Sequence, residues 1–250
     1  MTKLIIEGPS KLSGTIEISG AKNSVVALIP AAILCDDEVT IDNVPDITDT
    51  RALLEILELL NADYKYENNI LSIDTSNVQN QVIEEALAKK LRASYYFMGS
   101  LLSKYHHVEM YFPGGCKIGK RPIDYHIKGF EALGATVTIA GDKYIIDAQE
   151  LNGTDITFDF PSVGATINIM LAAVKANGQT RIFNAAKEPE IVNIADFLKS
   201  MGAKIKGAGT DTITITGVKK LSKGNVYTIP DRIEAGTYII AGALAGDNLV

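Results

Sequence analysis

A period of about seventy residues runs through this chain and constrains its fold more than any other feature. Ala21, Ala93, Ala165 and Ala235 mark equivalent points, spaced 72, 72 and 70 residues apart. Three of these markers follow strand-like runs: Thr15-Ile16-Glu17-Ile18, Thr154-Asp155-Ile156-Thr157-Phe158 and Asn225-Val226-Tyr227-Thr228-Ile229. The second marker, in Leu91-Arg92-Ala93-Ser94, is the weakest of the set. Each marker opens an apolar, small-residue stretch, at residues 25–34, 95–102, 167–174 and 238–244. A helix that is apolar on most sides is a buried helix.

A second landmark repeats in step with the first. Leu59-Leu60-Asn61-Ala62-Asp63-Tyr64, Ala132-Leu133-Gly134-Ala135-Thr136-Val137 and Ser200-Met201-Gly202-Ala203-Lys204-Ile205 each close an amphipathic helix and open a strand. Apolar residues recur at three- and four-residue steps before each landmark, as in Leu53, Ile56, Leu57 and Leu60 or Ile194, Phe197, Leu198 and Met201. Asn61, Gly134 and Gly202 suit the left-handed position that ends a helix. Period-two alternation follows, as in Thr136-Val137-Thr138-Ile139 and Ile213-Thr214-Ile215-Thr216.

The repeat predicts a pseudo-threefold α/β domain with three sheets around a bundle of buried helices. Three units fit residues 22–229. A fourth begins at Pro230 and supplies an apolar helix and the start of a strand. A lone apolar helix has nothing to bury its faces against. Residues 1–21 and 230–250 therefore read as parts of a second domain, and the 250 residues as part of a longer chain.

Composition narrows the function. The net charge of −6 argues against a nucleic-acid binder, which carries a basic footprint. Tryptophan is absent, so stacking platforms for bases and sugars are few. Cys35 lies in the apolar run 28–34 and reads as a small core residue. Two cysteines in a chain of this size do not make a disulfide framework. No Cys/His cluster has zinc spacing, and adjacent His106 and His107 would face opposite ways on a strand. The first ten residues lack the pattern of a signal peptide, and no apolar run reaches the roughly 20 residues of a membrane helix. A reducing cytoplasm is the expected setting.

The chemistry concentrates in Pro113-Gly114-Gly115-Cys116-Lys117-Ile118-Gly119-Lys120-Arg121-Pro122. Glycines let backbone approach a ligand closely. Lys117, Lys120 and Arg121 lie within five residues of the thiol, and such positive charge lowers a thiol pKa toward neutrality. The alternative is a flexible turn with an incidental cysteine. The clustered cations suit a small anionic ligand better than a polyanion.

Seven motifs in order carry a family resemblance. They are Ser19-Gly20-Ala21-Lys22-Asn23, Leu91-Arg92-Ala93-Ser94, Pro113-Gly114-Gly115-Cys116, Arg121-Pro122-Ile123-Asp124, Pro161-Ser162-Val163-Gly164-Ala165-Thr166, Glu188-Pro189-Glu190-Ile191 and Pro230-Asp231-Arg232-Ile233-Glu234. Together the chain resembles the UDP-N-acetylglucosamine 1-carboxyvinyltransferase branch of the enolpyruvyl transferases. The resemblance implies an inside-out α/β barrel of two domains, each built from three such units. It implies transfer of the enolpyruvyl group of phosphoenolpyruvate to the 3′-hydroxyl of UDP-N-acetylglucosamine, with release of phosphate, in peptidoglycan synthesis. It implies no metal or organic cofactor.

By the same resemblance Cys116 is the proton donor, can form an adduct with phosphoenolpyruvate, and is the thiol fosfomycin alkylates. A general acid works best with a pKa near the operating pH, which agrees with its cationic setting. Lys22 and Asn23 match phosphoenolpyruvate contacts at a helix start, where free N–H groups favour an anion. Arg92, Arg121, Pro122, Ile123, Asp124, Tyr125, Ser162, Val163 and Gly164 match contacts to UDP-N-acetylglucosamine. Read without the resemblance, Lys22 and Arg92 are surface cations, Asn23 a cap, Asp124 a helix-start charge and Ser162 a helix entry. Phe160 stands where some members have lysine. His126 stays outside the catalytic set, and Glu188, Glu190, Asp231 and Glu234 read as residues that cap helices or bridge units.

Two alternatives remain: a 5-enolpyruvylshikimate-3-phosphate synthase-like transferase, or a non-catalytic sugar-nucleotide-binding module. The cysteine loop and residues 121–124 weigh against the first. The family's general-base aspartate and further phosphoenolpyruvate-binding arginines lie in the part of the second domain this chain lacks. The 250 residues alone are expected to show little or no turnover.

Overall fold

Each period of the sequence folds as two helices and a layer of sheet. The computed structural model describes residues 3–5, 7–8, 10–114 and 123–249. A short strand β1 (Leu12–Gly14) precedes the first unit, which comprises α1 (Lys22–Ala32), β2 (Glu38–Asp42), α2 (Thr48–Leu59), β3 (Asp63–Glu67) and β4 (Ile70–Asp74). A single-turn helix α3 (Glu85–Ala88) and a 3-10 turn (Arg92–Tyr95) lead into α4 (Tyr96–Tyr105), β5 (His107–Tyr111), α5 (Asp124–Ala132), β6 (Thr136–Ala140) and β7 (Lys143–Asp147). The third unit is β8 (Asp155–Thr157), α6 (Val163–Ala173), β9 (Gln179–Phe183), α7 (Pro189–Ser200), β10 (Lys204–Lys206) and β11 (Thr212–Thr216). Then come β12 (Gly224–Tyr227), α8 (Arg232–Ala245) and β13 (Gly246–Leu249).

The three sheets share one plan. Their orders are β12-β2-β4-β3, β5-β7-β6 and β10-β11-β9-β8. In each, the strand after the inner helix pairs antiparallel with the second strand of the unit's hairpin. A leading strand pairs parallel with it: β12 on β2 and β8 on β9. In the middle sheet that place shrinks to a parallel bridge between Ile83 and Met110. Because β12 comes from the end of the third unit, it closes the ring back onto the first. Alternation places the apolar residues on one face: Val39 opposite Ile73, Ile41 opposite Leu71, Ile213 opposite Ile182.

The apolar helices α1, α4 and α6 are innermost, as their all-round apolarity requires. Ser24 to Ala32, Tyr96 to Ser103 and Ala165 to Ala173 are all buried. The amphipathic helices α2, α5 and α7 bury one face each against this bundle. Asn61 (φ 61°), Gly134 (φ 101°) and Gly202 (φ 106°) take the left-handed conformation at the three helix ends. Sheets outside and apolar helices inside make the inside-out α/β arrangement expected from the sequence.

Two local features differ from the sequence pattern, and a third bears it out. The strand expected at residues 15–18 lies instead at Leu12–Gly14, because that segment finds β13 as a parallel partner. His106 is not on a strand: it is the left-handed cap of α4 (φ 58°), and its N–H donates to the Leu102 carbonyl at 2.9 Å. His107 opens β5 and pairs with Asp147 at 2.6 Å. The apolar helix α8 is not buried like its three counterparts, as expected of a helix without its sheet. Among the described residues it packs mainly on β1 and β13, and Ile239, Ile240 and Leu244 are exposed. Asp231 caps it by accepting from the N–H groups of Ile233 and Glu234, and Glu234 accepts from the Ser19 hydroxyl. These are the capping and bridging roles read for both acids.

Helices α4 and α6 approach closely at Gly99. A Cβ on Gly99 would collide with the side-chain and backbone oxygens of Asn168. Gly99→Ala is expected to cost about 1–3 kcal/mol through overpacking, read by denaturant unfolding. Ser100→Ala removes a buried hydroxyl that has no hydrogen-bond partner among the described residues. It is expected to leave stability unchanged or slightly higher.

Candidate functional site

The starts of six helices face one pocket. Its volume is about 560 Å³, and its walls include Lys22 and Asn23 of α1, Asp49 of α2, Arg92 and Tyr95 of the 3-10 turn, and Tyr96 of α4. Val163 and Gly164 of α6, Glu190 of α7 and Arg232 of α8 complete this ring, with Lys89 and Lys90 from the segment after α3. The parallel course of the repeats makes this inevitable: units related by threefold pseudosymmetry present equivalent helix ends to the same pole. Helix starts carry unpaired N–H groups and the positive end of the dipole, so the pole attracts anions.

Charged side chains add to that field. Five cations, Lys22, Lys89, Lys90, Arg92 and Arg232, face two acids, Asp49 and Glu190. Both acids are paired: Lys22 with Asp49 at 3.0 Å, and Arg232 Nε with Glu190 at 3.0 Å. Glu190 is 2 % exposed, and Arg232 is the partner that lets a carboxylate stay there. Lys90 reaches across to Glu55, and Lys89 pairs with Glu85 one turn back. Arg92 lies over the Tyr95 ring, 5.6 Å from its centre. The backbone N–H of Lys22 donates to Asp231 at 3.1 Å, tying the start of α1 to the cap of α8. Burial pushes the Tyr96 hydroxyl pKa well up, so it stays protonated.

Of the residues singled out in the sequence, Lys22, Asn23, Arg92, Val163 and Gly164 line this pocket. Ser162 adjoins it as the N-cap of α6, its hydroxyl accepting from the Ala165 N–H at 3.4 Å. Ile123 is the buried residue before α5, and Asp124 is an exposed acid in that helix's first turn. The Tyr125 hydroxyl donates to Asp159 at 3.2 Å, and its ring meets Phe158 and Phe160. None of these three is a lining residue of the pocket. Cys116, Arg121 and Pro122 lie outside the described residues, with the rest of 115–122.

Sequence reasoning did not select Asp49, Lys89, Lys90, Tyr95, Tyr96 or Arg232 for the site, and read Glu190 as structural. The repeat contained a signal for some of them. Asp49, Asp124 and Glu190 are each the acid in the first turn of the unit's amphipathic helix. Two of these three equivalent acids reach the pocket.

Behind the pocket wall lies a buried histidine. His126 packs edge-on against Tyr95 at 4.7 Å between ring centres. Its Nδ1 is 2.9 Å from the side-chain nitrogen of Asn168. Burial, and secondarily the charge of Arg92, push its pKa down to about 3. The ring is therefore neutral at pH 7. Cys35, at the opposite end of α1, is fully buried, and burial raises its thiol pKa. It is a core residue, as its apolar surroundings in the sequence indicate.

Fold and site together define an α/β protein built of threefold repeats, with an anion-attracting pole at its helix starts. The chain belongs to the family described as EPSP synthase (3-phosphoshikimate 1-carboxyvinyltransferase), whose model matches residues 6–250. It is 54% identical over 250 residues to UDP-N-acetylglucosamine 1-carboxyvinyltransferase 2 of Geobacillus kaustophilus, covering 100% of this chain and 58% of the relative. It is 53% identical over 251 residues to UDP-N-acetylglucosamine 1-carboxyvinyltransferase of Streptococcus pneumoniae, covering 100% of this chain and 60% of the relative. The chain thus spans somewhat over half the length of these relatives. Among solved structures, the enolpyruvyl transferase NikO from Streptomyces tendae matches with a TM-score of 0.86 and 27% identity, over 98% of this chain and 58% of NikO. An EPSP synthase from Acinetobacter baumannii shares the fold at a TM-score of 0.76 and 18% identity, over 96% of this chain and 55% of that one.

Two measurements check the buried groups. His126 must charge in the unfolded chain below pH about 6.5 but resists charging in the folded one until about 3, so its contribution is present above 6.5 and lost on acidification. The stability gap between the wild type and His126→Asn should narrow by about 2 kcal/mol from pH 7.5 to pH 5, by denaturant unfolding. Cys35 should resist a soluble thiol reagent in the native chain and react once denaturant is added. Labelling of native Cys35 at the rate of a free thiol would contradict its burial.

Proposed function

We propose that this chain is the cysteine-loop portion of an enolpyruvyl transferase that joins phosphoenolpyruvate to the 3′-hydroxyl of UDP-N-acetylglucosamine and releases phosphate. The observation that carries the reading is the convergence of helix starts and five cations on one pocket. Both substrates are phosphate-bearing, and the second adds a sugar and a base. The names of the relatives more than half identical to this chain favour UDP-N-acetylglucosamine over shikimate 3-phosphate as acceptor. The likeness to EPSP synthase structures, at 18% identity, concerns the fold alone.

In this reading residues 22–229 form one complete three-unit domain, and 1–21 with 230–250 belong to a second. Lys22 and Asn23 hold phosphoenolpyruvate at the start of α1. Arg92, Ser162, Val163 and Gly164 meet the diphosphate, where a cation and backbone N–H groups suit phosphate oxygens. Arg121, Pro122, Ile123, Asp124 and Tyr125 hold the nucleotide end. Cys116 delivers a proton to the methylene carbon as the 3′-oxygen, giving its own proton to a general base of the second domain, bonds to the central carbon. Elimination then passes a proton from the new methyl to a base, restores the double bond and expels phosphate. The reaction serves peptidoglycan synthesis in the cytoplasm, and fosfomycin would block it at Cys116. Among the described residues no helix is long and apolar enough to cross a membrane.

Calorimetry on the 250-residue chain tests the reading. UDP-N-acetylglucosamine should bind weakly, shikimate 3-phosphate should not, and Arg92→Ala should weaken the sugar nucleotide by about tenfold or more. With both substrates present, little or no phosphate should be released. Tight binding of shikimate 3-phosphate with no response to UDP-N-acetylglucosamine would favour the other transferase. Full turnover by these residues alone would refute the assignment of essential groups to a second domain.

A further inference from the structure

We propose that Asn168 and His126 form a positioning pair that sets the Arg92–Tyr95 turn against the pocket. The proposal rests on the function proposed above insofar as it concerns a ligand, but its geometry stands apart from it.

Asn168 is fully buried in the middle of the apolar helix α6, an unfavourable place for an amide unless every group is satisfied. Its Oδ1 accepts from the Gly99 N–H at 2.9 Å. Its Nδ2 donates to the Tyr95 carbonyl at 2.9 Å and lies 2.9 Å from His126 Nδ1. Tyr95 and Gly99 frame the first turn of α4, so this one amide holds both the carbonyl that opens the helix and the N–H one turn on. That turn is the junction where the 3-10 turn Arg92–Tyr95 becomes α4.

The second Nδ2 proton fixes the histidine. With Asn168 donating, Nδ1 is an acceptor, so the neutral ring carries its proton on Nε2. A Cβ built on Gly164 would lie 3.0 Å from that Nε2 and 2.8 Å from the Tyr95 hydroxyl. The histidine edge, the Tyr95 hydroxyl and the start of α6 therefore meet at Gly164, a residue of the pocket wall. The groups facing the ring are Tyr95 and Arg92 from the 3-10 turn, and Asn168 and Gly164 from α6. A charged histidine here would oppose Arg92. A neutral one, locked by Asn168, braces the turn that carries Arg92 without competing for the anion. His126 is thus a positioning residue that acts through Arg92 and Tyr95.

The test compares wild type, His126→Asn and His126→Leu. Asparagine can keep an acceptor for Asn168 near the place of Nδ1, and leucine cannot. Nitrogen-15 NMR of the wild-type ring at pH 7 should show a protonated Nε2 and a bare Nδ1. A protonated Nδ1 would overturn the proposal without any variant. The Arg92 Nε–H resonance should shift in His126→Leu and stay near its wild-type position in His126→Asn. UDP-N-acetylglucosamine should bind His126→Leu about tenfold more weakly than wild type, and His126→Asn within about threefold. Equal affinity of wild type and His126→Leu, or an unmoved Arg92 resonance in His126→Leu, would refute the positioning role. If wild type binds no sugar nucleotide, the proposed function fails instead, and the two NMR readouts still decide the positioning pair.

Discussion

The close contact of α4 with α6 holds the rest of this structure in place. Gly99 lets the two helices approach until the Asn168 amide enters the first turn of α4. That one side chain ties the first turn of α4 at both its carbonyl and its N–H, and joins α5 through His126. The second and third units thus meet in a hydrogen-bonded node as well as in the apolar bundle. An apolar bundle alone is tolerant of sliding and rotation. A buried amide with three specific partners fixes the registry, because each alternative leaves a polar group unpaired.

The same threefold arrangement generates the chemistry of the pole. Each repeat runs through a buried helix, returns along a strand and runs out again through an amphipathic helix, so the starts of both helices gather on one side. The field they produce does not depend on any one side chain. Lys22, Lys89, Lys90, Arg92 and Arg232 reinforce it, while Asp49 and Glu190 hold two of these cations in defined places. At the other pole, where α1, α4 and α6 end, Lys104 and Lys175 sit close to Asp36. Cations there offset the negative ends of the same helices.

Much of this was legible in the sequence, for a physical reason. Period-dependent burial leaves a direct trace, so the inner helices, the amphipathic helices and their Asn61, Gly134 and Gly202 ends could be placed from residue types. The strand at Leu12–Gly14 could not, because a three-residue strand is defined by its partner β13 rather than by its own pattern. The exposure of α8 was legible from the repeat and not from its composition: it is as apolar as the buried helices, and only the missing sheet marked it as uncovered. In the site, Lys22, Asn23, Arg92, Val163 and Gly164 were found through motifs and share one pocket. Asp49, Lys89, Lys90 and Arg232 belong to it by tertiary convergence. Asn168 gave no sign of its role, since one polar residue inside an apolar helix resembles a tolerated exception until its three partners are seen.

The central claim is that the pole of helix starts is where a phosphate-bearing sugar nucleotide binds. The most direct check is an NMR titration of the nitrogen-15-labelled chain with UDP-N-acetylglucosamine, following every backbone amide. Shifts should concentrate at Lys22, Asn23, Arg92 to Tyr96, Val163 and Gly164, and leave the Asp36 pole and the far end of α8, at Ile239 to Leu244, unmoved. Shifts centred on the Asp36 pole or on that far end of α8, with the helix starts silent, would contradict the account.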